Sequence, residues 1–278
     1  MKKYALIGYP LGHSMSPLIH DELFRIKNRE SSYSLEEISP EVLDGKGDFL
    51  RSLNGFNVTI PHKINVIKQI DELAESAGRY NSVNCVANDG EKLIGYNTDC
   101  DGFLTATKEF PLDKNVLLIG CGGVGRMMAI ETALHGGSVT LGIIPEAMES
   151  AQKLKEEITA KIPEAVVNIA IISELDGKYD VILNASPVGM YPKTEACPVS
   201  DEIISGCTHV FDAVYNPVKT QLITKAETMG KVAVGGASML VYQAVKAHEI
   251  WDGDFYSEEE INKIIKAVED KINEGQVK

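Results

Sequence analysis

A glycine-rich segment near the middle of the chain, NVLLIGCGGVGR at positions 115–126, constrains the fold more than any other feature. An apolar run leads into Gly120, Gly122, Gly123 and Gly125, and a helical pattern follows. Glycines there allow a tight turn, close approach of a pyrophosphate to the backbone and close packing of helix on strand, while the helix N-terminus offers free N–H groups. The segment predicts dinucleotide binding. Taken alone, it also fits a turn without a ligand or the loop of an adenosylmethionine-dependent methyltransferase.

The residues on both sides of this loop form a repeating pattern. From position 115 to about 237, continuous apolar runs alternate with helical segments, among them 123–135 and 145–161. Such runs predict a parallel sheet covered by helices on both faces, which is a doubly wound Rossmann domain. Residues 2–99 also alternate β-rich runs with short amphipathic segments, and this pattern indicates a separate α/β domain.

Two sequence signals mark helix starts. Ser16 followed by Pro17 predicts an N-cap and a helix that runs to about Asn28. Ser257 and Glu260 have the spacing of a capping box at the start of a final helix.

The helices after position 237 are expected to return to the first domain, because the second sheet is complete without them. The predicted fold class is therefore α/β, with an N-terminal α/β substrate domain and a C-terminal doubly wound Rossmann domain. The predicted boundaries are 1–101 and 238–278 for the substrate domain and 102–237 for the Rossmann domain.

Composition narrows the possible partners. The chain has 278 residues and a formal net charge of -13, whereas nucleic acids and anionic membranes require basic surfaces. A small-molecule substrate is the expected partner, and the protein is expected to be a monomer or homodimer. The chain has no run of about eighteen apolar residues and no signal peptide at its start, so we expect a cytoplasmic protein. Its five cysteines form no close pairs and its six histidines have no metal-ligand spacing, so we expect reduced thiols and no metal site.

Polar residues follow several predicted strands of the first domain. Ser14 and Ser16 stand two residues apart at a strand exit, where both hydroxyls can face one carboxylate beside a helix N-terminus. Serines at such a place more often serve only as helix caps. Further candidates carry hydroxyl, amide, ammonium or carboxylate groups, and they are Thr59, Lys63, Asn84, Asn97 and Asp99.

Five segments resemble, in the same order, the motifs of the shikimate dehydrogenase family. They are GYPLGHSMSP at 8–17, NVTIPHK at 57–63, NTDCDGF at 97–103, NASPVGMYP at 184–192 and GGASMLVYQAVKAHEIW at 235–251. The resemblance covers nearly the whole chain. It implies reversible reduction of 3-dehydroshikimate to shikimate with NADPH, in the shikimate pathway of aromatic amino-acid and chorismate biosynthesis.

The resemblance also implies roles for individual residues. Lys63 and Asp99 are the implied catalytic pair, in which the lysine moves a proton and the carboxylate orients it. The implied substrate-binding residues are Ser14, Ser16, Thr59, Lys63, Asn84, Asp99, Tyr215 and Gln243. The implied cofactor-binding residues are Gly120, Gly122, Gly123, Val124, Gly125, Arg126, Ser186 and Gly236.

The chain departs from the family pattern at two places. Cys85 stands where the family commonly carries threonine, and LGII at 141–144 replaces the family's asparagine and arginine. An acid or an arginine at the latter place normally meets the cofactor ribose or its 2′-phosphate. Glu146 is the nearest acid and Arg126 the nearest cation in this chain. NADP is the expected cofactor, with NAD possible.

Two other functions fit the same residues. One is an NAD-preferring quinate/shikimate dehydrogenase paralogue, since quinate differs from shikimate by one ring hydroxyl and ring saturation. The other is a non-catalytic protein that binds a shikimate-like ligand and has a decayed cofactor site. The methyltransferase interpretation leaves Lys63, Asp99 and the two serines unexplained. His13 and His62 are interpreted as local hydrogen-bonding residues, because Lys63 already fills the catalytic role.

Overall fold

The computed structural model describes residues 1–12 and 14–276, so the predicted role of His13 lies outside the described residues. The chain divides into two compact units. The first comprises Met1–Gly102 and Val241–Val268, and the second comprises Phe103–Leu240 with the residues from Glu269 onward. The two units meet at slightly different residues from the predicted domain boundaries, and the end of the chain belongs to the second unit. The domain boundaries expected from the sequence therefore stay a prediction.

The first unit contains a mixed sheet. Its strands are β1 (Lys2–Gly8), β2 (Ser31–Glu37), β3 (Gly55–Val58), β4 (Glu72–Leu73), β5 (Cys85–Asn88) and β6 (Leu93–Tyr96). The helices that accompany them are α1 (Ser16–Ile26), α2 (Gly47–Ser52), α3 (Glu75–Tyr80) and α4 (Thr98–Ala106). The strand order is β2-β1-β3-β5-β6-β4, with β1 parallel to β2 and β3 and with β5 antiparallel to β3 and β6. Ile7, Phe56 and Val86 lie fully buried in its core.

Helix α1 starts differently from the sequence prediction. Ser16 is the first helical residue rather than the N-cap, and Met15 occupies the cap position without a side-chain cap. The reason is that the Ser14 hydroxyl oxygen, 3.2 Å away, accepts the N–H of Ser16. The helix ends at Ile26, two residues before the predicted end, because Asn28 has a positive φ of 51° that cannot continue a right-handed helix.

The second unit contains a parallel sheet. Its strands are β7 (Asn115–Ile119), β8 (Ser138–Ile143), β9 (Val167–Ile171), β10 (Val181–Asn184), β11 (His209–Asp212) and β12 (Val232–Gly235). Its helices are α5 (Gly123–Leu134), α6 (Met148–Lys161), α7 (Asp201–Gly206) and α8 (Gln221–Thr228). The strand order is β12-β11-β10-β7-β8-β9, so β8 and β9 lie on one side of β7 and β10, β11 and β12 lie on the other. Neighbouring strands pair in parallel. This is the order of a doubly wound Rossmann sheet, so the predicted fold class is confirmed.

Two long helices, α9 (Gly236–Asp252) and α10 (Glu258–Gln276), follow β12. Trp251 on α9 donates from Nε1 to Val86 O at 2.9 Å, and its ring occupies the space that a side chain at Gly55 would need. The predicted return of these helices to the first unit is therefore confirmed for α9. The capping box is also present, with Ser257 N bonded to Glu260 Oε2 at 2.7 Å and Glu260 N bonded to Ser257 Oγ at 3.3 Å. Within the described residues, no helix is long and apolar enough to cross a membrane.

Candidate active site

Lys63 and Asp99 form an ion pair in the first unit. Lys63 lies in the loop after β3, and Asp99 lies in the first turn of α4. Lys63 Nζ donates a short hydrogen bond to Asp99 Oδ2, and the two side chains are 26% and 17% exposed. A partly exposed ammonium group held by a carboxylate can give a proton to a ligand and take one back. The structure thus brings together the two residues predicted to be catalytic.

The Asn84 side chain holds Asp99 from the other side. Asn84 Nδ2 donates to Asp99 Oδ1 at 2.7 Å and to Thr98 Oγ1 at 3.1 Å. Asn84 Oδ1 accepts from Thr98 N at 2.6 Å. Because both ends of the amide are engaged at the start of α4, the second oxygen of Asp99 stays directed at Lys63. The sequence predicted Asn84 as a ligand to substrate and did not predict this contact with Asp99.

Two buried polar residues beside this pair have an unsatisfied atom. Asn97 Nδ2 donates to Ser82 O at 3.0 Å, whereas the buried Asn97 Oδ1 has no partner among the described residues. His62 Nε2 lies 2.6 Å from Ile38 O, in agreement with a local hydrogen-bonding role, whereas the buried His62 Nδ1 has no partner among the described residues. A buried acceptor without a partner costs stability, and Asn97 Oδ1 is such an acceptor among the described residues.

The serine pair lies where parallel strands end. Ser14 and Ser16 follow β1, Thr59 follows β3, and these strands pair in parallel with Ile7 opposite Val58. The carboxyl ends of parallel strands meet at one edge of a sheet, so the three hydroxyl residues share that edge. Ser16 is 8% exposed.

Tyr33, on the edge strand β2, contacts Ser16 of the serine pair. Its hydroxyl donates to Asn57 Oδ1 at 2.8 Å. Burial raises the pKa of Tyr33, and a hydrogen bond with the Ser16 side chain opposes that shift. The phenol that contacts Ser16 is therefore neutral.

Two other predicted substrate-binding residues lie on later elements. Gln243 is on α9 in the first unit and is 8% exposed. Tyr215 follows β11 in the second unit, and burial raises the pKa of its hydroxyl. The phenol is therefore protonated near neutral pH and available as a donor.

The glycine loop of the second unit has the backbone geometry of a nucleotide-binding turn. Gly120 has a φ of 96°, and a Cβ at Gly125 would lie 2.0 Å from Gly120 O, so both positions exclude a side chain. A Cβ at Gly122 or Gly123 would meet no atom within 4 Å. The open space therefore lies where α5 begins and its first N–H groups have no helical partner. Val124, half-buried, follows in the same turn.

A hydrogen-bonded cluster joins the loops after β10 and β11. Asn184 Oδ1 accepts from Ser186 N at 3.1 Å and from Ser186 Oγ at 2.6 Å, while Asn184 Nδ2 donates to Asp212 Oδ1 at 2.9 Å. Burial raises the pKa of Asp212 to about 6. A Cβ at Gly236, a predicted cofactor residue, would lie 2.3 Å from Ala213 O, so the start of α9 packs on the β11 loop.

Asn184 and Asp212 were not among the residues predicted from the sequence to form the site. The available signal was a polar residue at the end of an otherwise apolar strand, VILN at 181–184 and HVFD at 209–212.

Among the residues that the structure describes, none at the end of β8 carries a positive charge. Ile143 is buried, whereas Ile144 is 58% exposed and is followed by exposed Glu146. Arg126 Nε and Nη2 donate to the two carboxylate oxygens of Glu157 at 2.6 and 2.5 Å. The Arg126 guanidinium holds the pKa of Glu157 below its usual value. Arg126 is therefore already paired, and a cofactor phosphate would have to compete with this carboxylate.

Known proteins resemble this chain along nearly its whole length. A family model described as the shikimate dehydrogenase substrate binding domain matches residues 6–86. The shikimate dehydrogenase (NADP(+)) of Methanocaldococcus jannaschii is 36% identical over 278 residues, which cover 98% of this chain and 97% of that protein.

Solved structures show the same similarity. A crystal structure of a shikimate dehydrogenase in complex with NADP+ has 33% identity and a TM-score of 0.87, covering 98% of this chain and 96% of that one. The shikimate 5-dehydrogenase from Listeria monocytogenes, in complex with shikimate and NAD, has 29% identity and a TM-score of 0.85, covering 95% and 96%.

Proposed function

The chain belongs to the shikimate dehydrogenase family, and we propose that it catalyses the reversible reduction of 3-dehydroshikimate to shikimate with NADPH. It is an NADP-dependent oxidoreductase of aromatic amino-acid biosynthesis. The observation that carries the proposal is the ion pair between Lys63 and Asp99, oriented by Asn84. The relatives support neither the NAD-preferring quinate/shikimate dehydrogenase paralogue nor the non-catalytic alternative.

Lys63 handles the proton of the reaction. Bound NADPH supplies the hydride. Negative charge develops on the carbonyl oxygen during reduction, and the Lys63 ammonium group both stabilises that charge and donates the proton. In the oxidation direction the neutral amine accepts the proton of the alcohol. Asp99 keeps Lys63 Nζ in place through its own Oδ2, because Asn84 holds the other carboxylate oxygen.

The hydroxyl and amide residues of the first unit recognise the substrate. Ser14 and Ser16 donate to the ring carboxylate, and the N-terminus of α1 adds a favourable dipole. The Asn97 side chain, whose Oδ1 has no partner within the described residues, is also predicted to meet a ring hydroxyl. Other groups predicted to meet the ring hydroxyls are those of Thr59, Asn84, Asp99 and Gln243 in the first unit and of Tyr215 in the second.

The glycine loop of the second unit has room for NADP. The open space over Gly122 and Gly123 leaves room for a pyrophosphate beside the N-terminus of α5. Gly120 and Gly125 allow the loop to pack against the strand and helix, and Val124 and Arg126 lie in the same turn. Ser186 lies in the loop after β10, and Gly236 is the first residue of α9; these two complete the predicted cofactor residues.

We assign the protein to the cytoplasm as a monomer or homodimer. All five cysteines are free, which is typical of a reducing compartment. The net charge of -13 argues against a nucleic-acid partner. Sedimentation equilibrium of the purified protein and fractionation of the source cells test these two assignments.

Steady-state oxidation of shikimate and of quinate, each with NADP+ and NAD+, tests the proposed function. We expect the highest kcat/KM for shikimate with NADP+. A higher kcat/KM for quinate would identify a quinate-specific paralogue instead. Binding of shikimate without turnover with either cofactor would identify a non-catalytic protein.

A further inference from the structure

The carboxylate of Asp212 is fully buried at the end of β11 and is surrounded by neutral donors. Asp212 Oδ1 accepts from Asn184 Nδ2 at 2.9 Å and from Val214 N at 3.0 Å, and Oδ2 accepts from Thr220 Oγ1 at 2.7 Å. Within the described residues, no lysine or arginine forms an ion pair with it. Three donors on different segments therefore converge on one acceptor.

This acceptor determines which way the Asn184 amide faces. A carboxylate only accepts, so the NH2 group of Asn184 must point at Asp212 and its oxygen must point at Ser186. Asn184 Oδ1 then takes both the N–H and the hydroxyl proton of Ser186. The Ser186 oxygen is left to accept from Val188 N at 3.3 Å. The direction of the Ser186 hydroxyl thus follows from Asp212, although the two residues share no hydrogen bond.

The same carboxylate holds the loop after β11. Its bond to Val214 N fixes the backbone one residue before Tyr215, and Gly236 N in turn donates to Val214 O at 3.3 Å. Thr220 also caps α8, since its hydroxyl oxygen accepts from Ile223 N at 3.3 Å. The loops after β10 and β11 and the start of α9 are therefore connected through Asp212.

These loops border the place where the second nucleotide of a dinucleotide binds. In a doubly wound sheet the pyrophosphate lies at the glycine turn after β7 and the ribose reader follows β8, so the other nucleotide lies across β10 and β11. A Cβ at Gly120 would lie 2.9 Å from both Ser186 N and Ala185 C. The glycine turn therefore packs directly on the segment that Asn184 and Asp212 hold.

We propose that Asp212 is a positioning residue for the cofactor: as a common acceptor it fixes Ser186 through Asn184, and it fixes the backbone before Tyr215, so that both loops are preorganised to receive NADP(H). The inference rests on the proposed function, because it assigns these loops to the cofactor of that reaction. It predicts that loss of Asp212 affects cofactor binding more than shikimate binding.

Two substitutions at this position separate geometry from charge. Asp212→Asn can keep all three contacts when its side-chain amide takes one of its two orientations. In that orientation the amide oxygen accepts from Asn184 and Val214, and the NH2 group donates to Thr220 Oγ1. Asp212→Ala removes all three. Ser200→Ala is a matched control, because it removes the side-chain cap of α7 in the same unit without touching these loops.

Titration calorimetry of NADP+ into each purified protein is the first measurement. We expect Asp212→Ala to weaken NADP+ binding by about tenfold or more, and Asp212→Asn and Ser200→Ala to stay within about threefold of the unsubstituted protein. The KM for NADP+ of Asp212→Ala should rise by a larger factor than its KM for shikimate. Equal NADP+ affinity in Asp212→Ala and the unsubstituted protein would overturn the inference, as would an equal loss in Ser200→Ala.

Hydrogen exchange without ligand is the second measurement. The amides of Ser186 and Val214 should exchange faster in Asp212→Ala than in Asp212→Asn, and unchanged exchange in Asp212→Ala would also overturn the inference. An unsubstituted protein that binds no NADP+ would overturn the proposed function and, with it, the cofactor role of Asp212. Failure confined to the Asp212→Ala comparisons would overturn only this inference.

Discussion

His20 on α1 and His248 on α9 contact each other through their rings, with 3.0 Å between His20 Nδ1 and His248 Nε2. Both rings are fully buried. Tyr256 Oη donates to Leu23 O at 3.2 Å, so it accepts from His248 Nδ1 at 2.9 Å. His248 Nε2 is then the acceptor for the proton on His20 Nδ1. One neutral tautomer of each ring satisfies this chain of bonds, and a proton added to His248 Nε2 would place two N–H groups face to face.

The first unit should therefore lose stability in acid. Burial lowers the pKa of His248 from 6.5 to about 4 and also lowers the pKa of His20. The folded protein binds these protons less tightly than the unfolded chain. Stability that is present above pH 6.5 is thus lost as the pH falls through about 4, by about 3 kcal/mol for His248. His248→Gln can accept and donate at the same two contacts without titrating, so its loss over this range should be smaller.

Urea unfolding followed by Trp251 fluorescence measures this effect. Trp251 is the single tryptophan, and its ring centroid lies 5.7 Å from that of His248. Well above pH 6.5 the His248 ring is neutral, so the difference in the free energy of unfolding between His248→Gln and the unsubstituted protein there gives the cost of the substitution itself. Parallel pH profiles for His248→Gln and the unsubstituted protein would contradict the prediction.

Lys63→Ala should remove most turnover and leave shikimate affinity within about tenfold, because loss of general acid–base help costs roughly a hundredfold to ten-thousandfold in rate. Lys68→Ala, which changes an exposed lysine of the short 3-10 helix that follows, is the matched control. Stopped-flow or steady-state kcat and equilibrium binding of shikimate are the measurements. A Lys63→Ala protein with more than about half of the normal kcat would remove Lys63 from the mechanism.

Ser14→Ala and Ser16→Ala should raise the KM for shikimate with little change in kcat. The substrate carboxylate is bound equally in the ground and transition states, so this contact contributes uniform binding. The double variant should have a higher KM than either single variant. Shikimate methyl ester should bind the unsubstituted protein more weakly than shikimate, and equal binding would rule out a carboxylate site at these serines.

The preference for NADP over NAD should be modest. A 2′-phosphate is usually met by charge-assisted donors, yet Ile144 lies exposed at the end of β8 and Arg126 is paired with Glu157. Ile144→Arg should raise the ratio of kcat/KM for NADP+ over NAD+, because a guanidinium donates two bonds to a phosphate. Ile144→Gln, polar but uncharged, should leave the ratio nearly unchanged. A preference of roughly a thousandfold for NADP+ in the unsubstituted protein would show that another donor reads the phosphate.

Asp212→Asn should stabilise the protein near neutral pH. Burial raises the pKa of Asp212 from 3.8 to about 6 in the folded state. Stability that is fully present below pH 3.8 is therefore lost as the pH rises through about 6, by up to about 3 kcal/mol. The amide of Asp212→Asn does not titrate, so the melting temperature of this variant should exceed that of the unsubstituted protein at neutral pH. Calorimetric scans should show this gap closing as the pH falls toward about 4, and a gap independent of pH would contradict the assignment.

Patterns that depend on a few consecutive residues predicted the fold well. The buried strands β7 and β10 show as continuous apolar runs because both faces of a parallel sheet are covered. The glycine turn at 120–125 could be predicted from the sequence because its backbone geometry excludes side chains at fixed positions. The start of α1 was predicted wrongly, since Ser14 and Ser16 are both suitable capping residues and only the folded loop decides between them.

Contacts between distant residues were harder to predict. Asn84 and Asp99 are 15 residues apart, Arg126 and Glu157 are 31 apart, and each pair meets only because separate elements pack in a particular register. Sequence periodicity reports which face of an element is buried, but it contains no information on that register. For the same reason the sequence named Asn84 as a substrate ligand and did not show that its amide is engaged by the start of α4.

The discontinuous first unit determines the order in which the chain can fold during synthesis. Val241–Val268 complete this unit only after the whole of Phe103–Leu240 has been made. At ribosomal speeds of ~5–20 residues per second, the N-terminal segment waits on the order of ten seconds for Trp251, whose ring stacks on that of Tyr4. The sheet of the second unit is complete in one continuous stretch before that moment. The nascent chain can thus form the sheet of the second unit first, and it needs chaperones most in the interval before Trp251 is made, while Tyr4 and its apolar neighbours in the first unit are still exposed.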